Sequence, residues 1–295
     1  MMDNNIFKGL FTALLTPFKD NRIDFMSLEK MLEYQIKSGV DGIVIAGSTG
    51  EGVNLDRDEY IALLQEVVDI TKKRILIIAG CNATYTIQAV NQVLEAQKIP
   101  IDGLMCTTPY YTRPTQEGLY QHFKAIHDIA ELPIILYSVP IRTGVDFTDD
   151  TIFRLSELPK IIAFKDAGRD LERTLRISAK VKGDFALLSG NDEVSLAYNA
   201  QGGVGCISVV SNIAPKLCKD LQERWKKGHF KSALKIHQQL VPLYKALFME
   251  VNPIGIKYAA QYLGICSGEL RFPLTEANFD TRNEIERALK KLALG

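Results

Sequence analysis

One lysine stands at the end of an apolar run. In Ile161-Ile162-Ala163-Phe164-Lys165-Asp166-Ala167-Gly168 every residue before Lys165 is apolar, and Gly168 then breaks the pattern. The run reads as a buried parallel strand ending in a turn, with the lysine at the strand's C-terminal mouth. Partial removal from water disfavours the ammonium, so an amine held there becomes a nucleophile toward a carbonyl carbon. Taken alone, the stretch more often means a rim lysine paired with Asp166 or another neighbour.

Three other stretches shift that balance. Gly47-Ser48-Thr49-Gly50-Glu51-Gly52 is a glycine-rich turn with two adjacent hydroxyls. It lacks the Gly-Lys-Ser/Thr ending of a P-loop, which disfavours a triphosphate, but its backbone N–H groups suit a small carboxylate. A plain turn using glycine for positive φ is the simpler account. Thr107-Thr108-Pro109-Tyr110-Tyr111-Thr112-Arg113-Pro114 is a stiff loop that presents phenols, either to a site or to an interface. Tyr137-Ser138-Val139-Pro140-Ile141-Arg142-Thr143-Gly144 places Tyr137 at a strand's last inward position. It sets Arg142 just beyond, where its fork can grip a carboxylate or make a rim salt bridge. An amine, paired hydroxyls, phenols and a guanidinium from different strand ends are the parts Schiff-base chemistry requires: a carbonyl trap, a proton relay and an anchor for substrate charge. Hydroxyls in line move protons without a fixed charge that must be desolvated.

The elements that must position these groups follow a repeated pattern. Short apolar runs at Phe11–Leu15, Gly42–Ala46, Ile75–Ala79, Gly103–Cys106, Ile134–Tyr137, Ile161–Lys165, Ala186–Leu188 and Val204–Ser208 alternate with segments of helical period. Leu28, Met31, Leu32 and Ile36 share one helical face, as do Ile61, Leu64 and Val68. Asp56 with Glu59 forms a capping box, and Thr115 and Thr148 open further helices. Eight such units match a (β/α)8 TIM barrel, whose catalytic groups gather at the C-terminal ends of the strands. Strand signals stop after Trp225. Three helices are expected beyond it: one with Ala233, Ile236, Leu240, Leu243 and Leu247, one opened by Asn252-Pro253, and one capped by Thr281 with Glu284. The reading is a barrel domain over residues 1–225 and a three-helix appendage over 226–295.

Composition narrows the function. A net charge of +0 with no basic run argues against nucleic-acid or membrane-surface partners. Asp3 and Asn4-Asn5 make the N-terminus too polar for a leader, and no run is long and apolar enough to span a bilayer. Five cysteines without a C-x-x-C pair read as free thiols in a reducing cytoplasm. The four histidines show no ligand spacing and read as helix-surface residues, so no metal is expected.

Together, Gly47–Glu51, Thr108-Pro109-Tyr110-Tyr111 with Arg113-Pro114, Gln116 to Phe123, Tyr137 to Gly144, Lys165 and Leu188-Ser189-Gly190 resemble the dihydrodipicolinate synthase family essentially end to end. That family belongs to the pyruvate-dependent class I aldolases, which also include N-acetylneuraminate lyase. The resemblance implies a Schiff base between Lys165 and pyruvate with no separate cofactor. It implies proton transfer by Tyr137 through Ser48 to a Tyr111 from the neighbouring subunit. Gly47, Thr49 and Ile207 would bind substrate, Thr49 and adjoining backbone holding the pyruvate carboxylate. Arg142 would hold the carboxylate of aspartate semialdehyde. The assembly it implies is a homotetramer of tight dimers.

Three departures stand out. Ser48 replaces the usual threonine but keeps the hydroxyl, and Ser138 replaces the usual asparagine. Where lysine-inhibited members bind lysine with histidines, an asparagine and a glutamate, this chain has Arg57, Tyr60, Thr84 and Gln88 beside Tyr110. A cation near the ligand's ammonium predicts insensitivity to lysine. The competing readings are a retro-aldolase for a sialic acid or 2-keto-3-deoxy sugar acid, which Arg142 disfavours, and a non-catalytic keto-acid sensor, which the complete relay disfavours.

Overall fold

A computed structural model describes residues 6–294. The Asp3-Asn4-Asn5 segment, on which the absence of a leader was argued, lies outside the described residues.

Eight strands form a closed parallel barrel: β1 Gly9–Ala13, β2 Gly42–Ile45, β3 Leu76–Cys81, β4 Gly103–Thr107, β5 Ile134–Ser138, β6 Ile161–Asp166, β7 Ala186–Ser189 and β8 Gly205–Ser208. Sequential strands are neighbours, and β8 returns to β1. Each expected strand is present. The sequence reading missed a hairpin, Phe18–Lys19 with Arg22–Ile23, whose two loop residues Asp20 and Asn21 have φ of 54° and 59°. Two left-handed residues in a two-residue loop match the twist of paired strands, and Asp and Asn tolerate that region better than most residues. Among the described residues the chain forms two compact bodies: residues 6–9 with Leu76–Ile207, and Leu10–Ile75 with residues 208–294.

In the first body, β5 and β6 run in parallel with a register shift. Ile134 faces Ile161 but Ile135 faces Ala163, so Ile162 is an extra residue. Such a bulge re-aims the side chains that follow it. Phe164 turns to an aromatic cluster, its ring 6.0 Å from Phe147, which lies 5.4 Å from Phe123. His122 also belongs to this core. It is buried beside Thr86, whose hydroxyl is 3.0 Å from Nδ1, and burial pulls its pKa down to about 4. The expectation of a surface histidine fails there, because its helix (Gln116–Ile129) presents it on the same face as Leu119, Phe123 and Ile126. All five cysteines are buried and none is in a disulfide.

In the second body, the helix Arg57–Thr71 starts with the expected Asp56–Glu59 capping box. It buries Tyr60, Leu63, Leu64, Val67 and Thr71, so its core stripe is rotated from the Ile61-Leu64-Val68 face. Apolar residues fill a wide arc of this helix, and periodicity locates the arc better than its centre. Gln35 similarly takes the core position expected of Ile36 on the helix Phe25–Lys37. Burial is tolerated because it accepts from Thr12 at 2.6 Å and donates to the Ser211 carbonyl at 3.0 Å. Beyond the helix Pro215–Lys226 come Phe230–Leu247, Ile254–Tyr262 and Phe279–Lys291, the three expected helices. Asn278, not Thr281, caps the last of them, its side chain accepting from the Thr281 amide at 2.9 Å. The second helix is preceded by Pro253 at the cap position, one residue later than expected of Asn252.

Candidate active site

The register of β5 against β6 pairs Tyr137 with Lys165. Lys165 Nζ lies 4.0 Å from the centroid of the Tyr137 ring, and both side chains are buried. An ammonium over an aromatic face is attracted by the ring quadrupole, which holds this amine in place without fixing an anion next to it.

Alternation along the strand sends the next residue the other way. Asp166 accepts the Gly168 amide at 2.7 Å and faces the Arg173 guanidinium at 3.6 Å, so it is engaged away from Lys165. A Cβ at Gly168 would come within 2.9 Å of the Asp166 carboxylate and 3.0 Å of Arg173, which explains a glycine at this turn. Burial pushes the Asp166 pKa up to about 6, against the opposing pull of Arg173 and the Gly168 amide.

Arg173 is itself buried and grips a second carboxylate, donating to Asp146 at 2.9 and 2.6 Å. Asp146 also accepts the Ser138 hydroxyl at 2.5 Å and the Phe147 amide at 2.8 Å. Burial opposes the Asp146 charge, but the Arg173 and Ser138 hydrogen bonds and the Arg173 charge outweigh it and hold the carboxyl below the usual range. Ser138, the departure that sequence comparison left unexplained, therefore has a definite partner. The span that Ser138 and Asp146 close contains Arg142, exposed on a one-turn helix, Pro140–Thr143, that proline starts at its first position.

The tyrosine loop meets this span. Thr108 donates to the Thr143 hydroxyl at 3.1 Å, and Arg113 donates to the Gly144 carbonyl at 3.0 Å. Tyr110 is half-buried, whereas Tyr111 is 92% exposed with φ of 71°. Ile207 is buried on β8.

In the second body, the turn after β2 is organised around Glu51 rather than around the hydroxyls. Ala46 and Glu51 take left-handed φ values of 55° and 51°, while glycine serves close approach: a Cβ on Gly52 would sit 1.8 Å from the Ala46 carbonyl oxygen. Glu51 is buried against Lys257, whose Nζ donates to Glu51, to the Thr16 carbonyl and to the Glu269 carbonyl, each at 2.8 Å. The other Glu51 oxygen accepts the Arg271 amide at 3.1 Å. Thr49 is buried and accepts from the Asn252 amide at 2.9 Å, which leaves its own hydroxyl proton to donate elsewhere. Ser48, next to it, is half-exposed, and Gly47 accepts the Gly52 amide at 3.1 Å.

Of the five residues read as a regulatory site, Tyr110 is half-buried, while Tyr60 is buried in the helix Arg57–Thr71 and Arg57 is exposed, 3.2 Å from Asp58. In the first body, Thr84 donates to the Gln88 side chain from both amide and hydroxyl at 3.2 Å. Sequence reasoning missed Asp146, Arg173, Glu51 as an ion-pair member and Lys257. Only Lys257 carried a signal, a lone charge among Ile254, Ile256, Ala259 and Ala260.

A parallel (β/α)8 barrel whose sixth strand carries a buried lysine over a tyrosine ring near its C-terminal end has the form of a carbon–carbon bond-forming aldolase. The comparisons narrow the class. The model of the Dihydrodipicolinate synthetase family matches residues 6–292. A 4-hydroxy-tetrahydrodipicolinate synthase of Rickettsia bellii (strain RML369-C) is 58% identical over 291 residues, 99% of both chains. The dihydrodipicolinate synthase structures from Thermotoga maritima and Aquifex aeolicus superpose with TM-scores of 0.96 at 36% and 38% identity, covering 98% of this chain and 100% and 99% of theirs. The chain belongs to the dihydrodipicolinate synthetase family.

Proposed function

We propose that this chain condenses pyruvate with L-aspartate 4-semialdehyde, the 4-hydroxy-tetrahydrodipicolinate synthase reaction of diaminopimelate and lysine biosynthesis. The observation that carries the reading is the buried Lys165 amine over the Tyr137 ring. In this reading the neutral amine adds to the pyruvate keto carbon. The carbinolamine loses water to give an iminium, and loss of a methyl proton gives an enamine. The enamine carbon attacks the semialdehyde carbonyl, forming the new C–C bond as the aldehyde oxygen takes up a proton. The amino nitrogen of the semialdehyde portion then adds to the iminium carbon, closing the ring and expelling the Lys165 amine, so the one water released is that lost by the carbinolamine.

Tyr137 and Ser48 are assigned the proton transfers, Thr49 and Gly47 the pyruvate carboxylate, Ile207 the apolar wall of the pyruvate site and Arg142 the semialdehyde carboxylate. The exposure of Tyr111 supports its donation to a neighbouring subunit's relay, and with it a homotetramer of tight dimers. No separate cofactor or metal enters the scheme, because the iminium supplies the electron sink. Five cysteines with no disulfide among them support a reducing, cytoplasmic setting. No helix among the described residues is long and apolar enough to cross a membrane. We keep the division into a catalytic barrel, residues 1–225, and a helical appendage, 226–295, as part of the proposal.

Reductive trapping tests the reading. Borohydride with pyruvate should add a stable mass to the peptide bearing Lys165, and the protein should consume pyruvate only when the semialdehyde is present. Absence of the adduct, or an adduct on another lysine, refutes it.

A further inference from the structure

The mechanism leaves one largely buried group of charges unused. Asp146 stands at the far end of the Val139–Val145 span and Ser138 at its near end, and their 2.5 Å hydrogen bond closes it. Arg173, on the helix Glu172–Ser178, holds Asp146 by two hydrogen bonds and faces Asp166, the residue after Lys165. One guanidinium therefore ties the segment bearing Arg142 to the strand bearing Lys165. Gln116 adds a second hold on the same point, donating to the Asp146 carbonyl at 2.8 Å.

We propose that Ser138, Asp146 and Arg173 form a clasp of positioning residues that fixes the Arg142 segment relative to Lys165 and so sets affinity for the second, carboxylate-bearing substrate. The clasp does not touch the reacting atoms. Its geometry accounts for its chemistry: a bidentate Arg–carboxylate pair fixes direction as well as distance. A pair of this kind, with Arg173 buried and Asp146 partly exposed, is weak evidence of stability and better evidence of a fixed arrangement. Arg142 itself is exposed on a single helical turn, too short to hold its direction without its ends being fixed. The inference about substrate affinity rests on the functional reading above; the inference about the segment's order does not.

Ser138→Ala removes one hydroxyl and little volume, and Arg173→Met removes the guanidinium at similar length. Ser138→Asn keeps a donor and is the residue usual at this position in the family, so it serves as the rescue. The expected result for Ser138→Ala is a KM for aspartate semialdehyde raised about tenfold, the loss of one charged hydrogen bond. The KM for pyruvate and the yield of the borohydride adduct should stay within about twofold, since uniform binding of the first substrate is untouched. Arg173→Met should be selective in the same sense and larger, and Ser138→Asn should return most of the loss. Hydrogen exchange at the amides of residues 141–147 should speed up in Ser138→Ala and not elsewhere, whatever the substrate.

Equal loss toward both substrates, or unchanged KM with unchanged exchange, overturns the clasp. If Arg173→Met fails to fold, Ser138→Ala decides alone. A wild-type protein that gives no pyruvate adduct sinks the functional reading instead, and the exchange result still decides whether the clasp orders the segment.

Discussion

Lys257→Met removes a charge from a place that water does not reach. The Lys257 side chain is 0% exposed and its partner Glu51 is 1% exposed, 2.8 Å away. Burial pulls the Lys257 pKa below the ordinary lysine value, against the attraction of Glu51. Breaking a buried pair from one side costs about 3–5 kcal/mol, because the remaining ion keeps its desolvation penalty without its partner. Here Glu51 keeps the Arg271 amide at 3.1 Å and the Asn54 side-chain amide at 3.4 Å, so the cost belongs at the low end, about 3 kcal/mol. Methionine fills a similar volume, which keeps a cavity term out of the comparison. For a chain of this size, roughly 2–4 °C of melting temperature accompanies each kcal/mol, so a fall of about 6–12 °C is expected. Glu51→Gln in the same background removes the stranded charge while keeping an acceptor for Arg271. The double variant should therefore regain at least half of the loss, a coupling that a double-mutant cycle reads directly. Because Glu51 anchors the turn bearing Thr49, the single variant should also raise the KM for pyruvate. A Lys257→Met protein melting within about 2 °C of wild type, or a double variant less stable than either single one, would refute the argument.

Arg142→Ala should raise the KM for the semialdehyde by ten- to a hundredfold, about 1.5–3 kcal/mol for a charged hydrogen bond, with the Lys165 adduct retained; comparable loss of both would move Arg142 out of the second subsite. Free lysine at about 1 mM should leave turnover above half, and stronger inhibition would show that Arg57 does not stand where a ligand ammonium binds. Asp166 and His122 make opposite contributions to stability against pH. The native state holds the Asp166 proton between pH 3.8 and about 6 while the unfolded chain does not, so that contribution falls as pH rises through the window. The unfolded chain protonates His122 between about 4 and 6.5 while the native state does not, so that contribution rises with pH. Each shift corresponds to roughly 3 kcal/mol and they largely offset. Asp166→Asn should expose the His122 slope as a melting temperature that climbs from pH 4 to 6.5, and a flat profile in that variant would contradict it.

The barrel was legible because its evidence is local. Each strand is a short apolar run bounded by turn residues, and each helix start is written in a capping side chain a few positions away, as at Asp56, Thr115 and Thr148. The positions of Lys165 and Tyr137 near strand ends and of Arg142 just beyond one were legible because their neighbours are plainly apolar or rigid. The groups behind them were not. Arg173 pairs with a carboxylate 27 residues earlier, and nothing in its segment distinguishes a buried charge from a solvated one; Lys257 stands alone among apolar residues, but its partner lies 206 residues earlier. The Asn278 cap was missed for a smaller reason: Thr281 with Glu284 imitates a capping box three residues downstream of the true one.

The two unread clusters have the same physical form. In one body the turn bearing Thr49, proposed to bind substrate, is held by Glu51 on Lys257; in the other the turn bearing Arg142, proposed to bind the second substrate, is held by Asp146 on Arg173. Replacing either pair with fitted apolar residues would leave stability near its present value or raise it, so stability alone does not explain them. What an apolar contact cannot supply is direction. A hydrophobic surface tolerates sliding by a fraction of an ångström, whereas a carboxylate held by two or more hydrogen bonds has one low-energy arrangement. A side chain that must meet a reacting group within such a tolerance needs its backbone fixed on that scale. Apolar replacement of the whole pair, Asp146→Leu together with Arg173→Met, is thus expected to keep the melting temperature and lose the second substrate. A double variant that kept both would show that the loop's order comes from its proline and its packing instead.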